Sequence, residues 1–248
     1  PAVIRRAGRS VVAALVLVLA AGALAACDPG ADLDPSIYFP GADLSGTDQS
    51  GKQLQQGDLS WIDFSGATFA GANLRGADLT SANLAGANLD GLDLTGASFH
   101  GANLEGASLR GADLTNVTFY GASLVDADLT GTNLINTQLF STNLDGVELA
   151  DALTFWVSSG GTDGTPASLP TGYVMRARHL VGPGADVSNA DLSGLDLADL
   201  DLRRVRLAGT NLAGTDLSGT DLANADLTNA GIQGGSLAGA DLAGASVV

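Results

Sequence analysis

Along most of the chain an apolar residue returns at every fifth position, with a small residue two places before it and a polar residue between them. The stretch GANLRGADLTSANLAGANLDG (71–91) shows the pattern, with Leu74, Leu79, Leu84 and Leu89 on the beat. An amphipathic helix repeats its apolar positions at about 3.6 residues and a half-buried strand at 2, so neither element accounts for this spacing. Within one unit Ala72 and Leu74 lie two apart and point the same way in an extended backbone, while Asn73 points opposite. Before Ala77 the chain must turn so that the next small–apolar pair again faces inward, and Gly76 tolerates such a corner. A chain that bends the same way every five residues spirals. Bends near a right angle predict four units per turn, with successive turns stacked at about 4.8 Å through strand-like hydrogen bonds.

From Leu44 to Leu149 every fifth residue is Leu or Phe, except Gln49. From Val187 to Val247 every fifth residue is Leu, Ile or Val. The interval between Leu149 and Val187 is not a multiple of five, so the two arrays are out of phase. The pattern predicts a first array over 42–149, an inserted segment over 150–184 and a second array over 185–248. In the insertion, GYVMRARHLV suggests a hairpin and the Gly/Ser/Thr/Pro-rich stretch 158–170 a loop. The segment either clasps the two stacks together or links them flexibly. Gln49, with Lys52 in an inward small-residue slot, predicts an irregular first rung and a regular coil from about Gly57.

These units resemble the pentapeptide-repeat family, whose consensus is A-(D/N)-L-x-x. The resemblance implies an all-β fold, a right-handed quadrilateral parallel β-helix, here in two out-of-phase arrays separated by the insertion. The segment LPTGYVMRARHLVGPGADVS also resembles one found at breaks between arrays in other bacterial members.

The N-terminus has a different character. Arg5, Arg6 and Arg9 precede the apolar run Val11–Ala26, which is short for a membrane span of about 20 residues. The run ends in LAAC (24–27), which resembles a bacterial lipobox. This predicts a signal peptide over 1–26, lipidation at Cys27 and a proline-containing tether over 27–41. An ordinary cleaved secretory peptide with a chance cysteine is the alternative. Cys27 is the only cysteine, so no intramolecular disulfide is possible. The net charge of −16 becomes more negative on cleavage, because three arginines and no acids are removed. That argues against binding nucleic acid, or an anionic membrane surface, through a basic face; membrane association is expected through the lipid alone.

Catalytic and cofactor motifs are absent: there is no HExxH, G-x-S-x-G, GxGxxG or Walker loop. With His100 and His179 as the only histidines, and no cysteine after the tether, a zinc cluster is not expected. Asp196, Asp199 and Asp201 lack the other features of a calcium loop. No enzyme, cofactor or metal is therefore predicted. Positions a full turn apart share a column, which aligns His100, Tyr120 and Phe140 outside the coil. They form either a partner-binding stripe or a self-stacked ladder. A second candidate surface lies in the insertion, with Trp156, Tyr173, Arg176, Arg178 and His179. Arg206 is expected between Asp186 and Asp226, Asp90 against Arg110, and Asp201, Asp221 and Asp241 in one like-charged row.

The reading that follows is a non-catalytic, exported, lipid-anchored scaffold at the bacterial envelope, with an unidentified protein partner. The alternative, implied by the resemblance, is an acidic DNA mimic that binds a type II topoisomerase. The export signal and the lack of a C-terminal dimerisation helix count against it. The repeat persists to the last residues, with Leu242 and Val247 in core slots. That predicts either end-to-end homodimerisation through 231–248 or a chain that continues further.

Overall fold

One repeat unit, Asn103–Ala107, accounts for all five of its backbone N–H groups and so explains the period. Asn103 donates to Ala82 on the preceding turn at 3.0 Å, and Leu104 to Ser123 on the following turn at 2.8 Å. The Glu105 N–H, at the corner, is taken by the Asn103 side-chain oxygen at 3.1 Å. Gly106 donates to Val125 at 2.8 Å, and Ala107 closes the turn onto Leu104 at 3.0 Å. The polar slot thus serves the corner as an Asx turn. Asp58, Asp113 and Asp216 play the same part for Ser60, Thr115 and Ser218.

The computed structural model describes residues 40–247. The expected signal peptide, Cys27 and all but the end of the expected tether lie outside them. Parallel bridges join residues 20 apart, from Asp43–Asp63 through Asp221–Asp241, so four units make each turn of a β-helix. No helix occurs among the described residues. Inside, Leu59, Leu79, Phe99 and Phe119 are fully buried in one column. The Phe99 and Phe119 rings stack at 5.1 Å.

The first rung is regular, contrary to the expectation of a start near Gly57. Gln49 occupies a leucine slot at 1 % exposure. Its amide donates to Thr47 Oγ1 and accepts from Lys52 Nζ, both at 2.6 Å. Coil geometry rests on main-chain bonds, so polar inward residues are tolerated when they satisfy one another.

The first array also runs further than the pattern predicts. Residues 150–163, expected as insertion, stay on the coil: Leu153 bridges Asn133 and Asp163 bridges Asn143. Strand β1 (Gln138–Phe140) pairs in parallel with β2 (Ser158–Gly160), inside the stretch expected to be a loop. The apolar beat is lost because this turn carries Thr154 and Ser159 in the central inward slots, while Leu153 points outward at 61 % exposure. The excursion 164–185 compensates for those polar residues. Its hairpin consists of β3 (Val174–Arg176) and β4 (His179–Val181), paired antiparallel. Ala177 and Arg178 turn it with φ of 46° and 63°, both left-handed, as a tight hairpin requires. Leu180 N–H donates to Ser159 Oγ at 2.8 Å, and Thr162 Oγ1 donates to the Arg178 carbonyl at 2.8 Å. Tyr173, only 6 % exposed, donates its hydroxyl to the carbonyls of Thr154 and Pro183 at 2.8 and 2.6 Å. Asp186 then bridges Ser158, and Arg206 bridges Asp186, so the second array continues the same ladder.

Candidate functional site

Two rings of the aromatic column stack on one another. His100 and Tyr120 stack at 5.1 Å with planes 14° apart. Phe140 lies against Gly160, where a Cβ would sit 3.3 Å from the Phe140 ring and 3.0 Å from His179. Without a side chain at 160, the Phe140 and His179 rings both approach the same backbone. His179 donates from Nδ1 to the Ser159 carbonyl at 2.5 Å. Burial lowers its pKa, while the carbonyl acts in the opposite sense. An open groove of about 500 Å³ begins here, lined by Asn136, Gln138, Phe140, Ser158, His179 and Asn189 among others.

The second candidate surface does not exist as one patch. Tyr173 is buried beneath the hairpin. Arg178 is committed to the coil, binding the carbonyls of Gly161 and Thr162 and the Asp163 carboxylate. His179 is half-buried, and Arg176 is exposed and hydrogen-bonded to the Asp196 and Met175 carbonyls. Tyr173 and His179 are buried or half-buried at the step between arrays, whereas Arg176 and Arg178 keep to its surface. Trp156 stays partly exposed at a corner of the coil.

There it meets residues of the second array. Trp156 and Phe155, each 41 % exposed, pack edge to face at 6.1 Å. Arg206 places its guanidinium over the Trp156 ring at 4.6 Å, and Arg204 lies over Phe155 at 5.7 Å. Gly184 packs against Phe155, where a Cβ would sit 3.4 Å from the ring. Together with Asn224 and Asp226 these side chains line an open cleft of about 570 Å³. The sequence shows the aromatic pair and the Arg-Arg-Val-Arg run (203–206), but the phase break hides that they share a corner.

The charge pairings are mostly local. Arg206 bonds Asp186 at 3.4 Å, and Arg203 reaches Asp201 at 2.6 Å and Asp221 at 3.5 Å. Arg203 thereby interrupts the expected row of Asp201, Asp221 and Asp241. Asp90 accepts from the Arg110 backbone N–H, whereas the Arg110 guanidinium turns to Asp128. Exposed pairs of this kind contribute little, about 0–1 kcal/mol each. Among the described residues no cluster of three or more His, Cys, Asp or Glu side chains could hold a metal ion.

A model of pentapeptide repeats matches in eight copies over residues 58–96, 93–131, 119–153 and 206–244. No curated protein matches. Among solved structures, HetL of the cyanobacterium Nostoc, a pentapeptide repeat protein involved in heterocyst differentiation regulation, is 27% identical. That match covers 84% of this chain and 88% of HetL, with a TM-score of 0.42. A pentapeptide repeat protein of the Arabidopsis thaliana thylakoid lumen is 37% identical over 41% of this chain and 74% of its own, with a TM-score of 0.24. QnrB1, a plasmid-mediated fluoroquinolone resistance protein, is 17% identical over 82% and 92% of the two chains, with a TM-score of 0.33.

Proposed function

Because the chain belongs to the pentapeptide-repeat family, we propose that it is a non-catalytic scaffold, exported and lipid-anchored through Cys27, that binds a protein partner at the bacterial envelope. The observation carrying this reading is the order Arg5-Arg6-Arg9, apolar run 11–26, then LAAC ending in the only cysteine. The rigid coil supplies a spacer, and its surface offers side chains for contact rather than a pocket for chemistry. The exposed residues Leu153, Phe155 and Trp156, beside two arginines, have the composition of a protein-contact centre.

Fractionation of cells carrying a tagged chain tests the proposal. The wild type should be found in the membrane fraction and be labelled by a fatty-acid probe, and Cys27→Ala should lose both. A cytoplasmic wild type would overturn it. That outcome would revive the acidic-mimic alternative, which has less support because Arg203 neutralises the head of the aspartate row.

A further inference from the structure

We propose that the corner formed by Phe155, Trp156, Arg204 and Arg206 binds an acidic peptide segment of the partner, one that sets a carboxylate beside an aliphatic side chain. The inference deepens the scaffold reading and rests on it.

Arg204 carries the argument. Arg75, Arg110, Arg178, Arg203 and Arg206 each hold a carboxylate, and Arg176 holds carbonyl oxygens. Among the described residues the Arg204 guanidinium has neither a hydrogen-bond nor an ion-pair partner, and its contact is the face of Phe155. A guanidinium stacked on a ring keeps its in-plane N–H donors free, in the fork that matches a carboxylate. Trp156 and Phe155 remain partly exposed beside it, and Leu153, in the same unit, exposes its side chain. An aliphatic side chain entering with the carboxylate would be desolvated there, and aromatic–arginine centres of this kind dominate protein contacts.

Trp156 and Arg204 hold φ of 57° and 59°, at the corner position of the regular coil that glycine fills in most units. Charge complementarity selects the partner. Arg206 is paired with Asp186, and Asp226 also lines the cleft, so Arg204 is the cation left to meet an incoming carboxylate, on a chain whose net charge of −16 repels an anionic segment elsewhere. A polynucleotide needs several phosphate contacts, and this corner has one unpaired cation. A sugar would stack on a ring face, and guanidinium groups already occupy faces of these two rings.

The test is fluorescence anisotropy of a labelled short peptide of alternating leucine and glutamate, titrated with the purified full chain. The wild type should bind it, and bind leucine–glutamine and serine–glutamate peptides more weakly. Arg204→Glu and Trp156→Ala should each weaken binding about tenfold or more, with circular dichroism unchanged. Arg203→Gln and Trp61→Ala should bind as the wild type does. No binding by the wild type, or binding untouched by Arg204→Glu, would overturn the inference. So would a self-associating wild type that Arg204→Glu dissociates in sedimentation, because the site would then belong to a second copy. If the chain remains membrane-anchored while peptide binding fails, the inference alone is lost. A cytoplasmic chain removes the scaffold reading itself.

Discussion

Asp186 sits one turn above Ser158, joined to it by a parallel bridge, although the excursion 164–185 intervenes where every other parallel bridge spans one regular turn. Its N–H donates to the Val157 carbonyl at 2.9 Å, the bond that a regular unit would make. Through this pairing one side of the ladder passes from the first array to the second. The hairpin that makes room for it is held by a few buried hydrogen bonds, and these are the most testable features of the junction.

Tyr173 should anchor the excursion. Tyr173→Phe leaves two carbonyl oxygens without their donor, at a cost of about 1–3 kcal/mol. Chemical denaturation measures the loss, which should fall on the junction and spare the regular turns. A wild-type-like midpoint would show that the hydroxyl contributes nothing.

The same residue predicts an alkaline transition. Burial pushes its pKa from 10.0 up to about 12. The neutral phenol is favoured in the folded state, so its contribution is intact below pH 10 and is lost as pH rises toward 12. About 2–3 kcal/mol should disappear across that window, and the Tyr173→Phe protein should lack the component. Melting temperatures measured between pH 9 and 12 compare the two.

His179 should make the hairpin acid-sensitive. Its folded pKa lies below the ordinary 6.5 because burial disfavours the charged ring. The unfolded chain therefore takes up a proton first, and stability present above pH 6.5 falls as the pH drops through the folded value. The hydrogen-exchange protection factor of the Leu180 amide should fall on acidification, and His179→Gln should flatten the response.

Inward and outward neighbours should differ sharply. Leu104, fully buried, should cost about 2–5 kcal/mol on truncation to alanine. Exposed Glu105→Ala should stay within about 0.5 kcal/mol. Thermal unfolding of the two variants checks the assignment, and equal effects would contradict it.

Gly106 isolates the backbone requirement of the corner. It holds φ of 63°, and a Cβ there would meet nothing within 4 Å. Gly106→Ala should therefore cost about 1–2 kcal/mol through conformation alone. A neutral result in the same unfolding assay would show that the corner tolerates an L side chain without strain.

The repeat by itself determined the coil. Five-residue spacing of Leu104 and its equivalents, an Asx residue at 103 and a glycine at 106 satisfy every amide of the unit locally or one turn away, so pattern and structure coincide wherever that unit recurs. The stacked pair His100 and Tyr120 was legible for the same reason, since a fixed turn length converts sequence distance into vertical alignment. The turn from 150 to 163 was not. Its inward slots hold Thr154 and Ser159, and these look wrong until the hairpin supplies partners for that turn from outside the repeat. The corner of Phe155, Trp156, Arg204 and Arg206 was hidden for a related reason: once the phase breaks, residue spacing no longer measures height along the coil. Only the tertiary fold, by setting Asp186 on Ser158, decides which side chains from the two arrays meet.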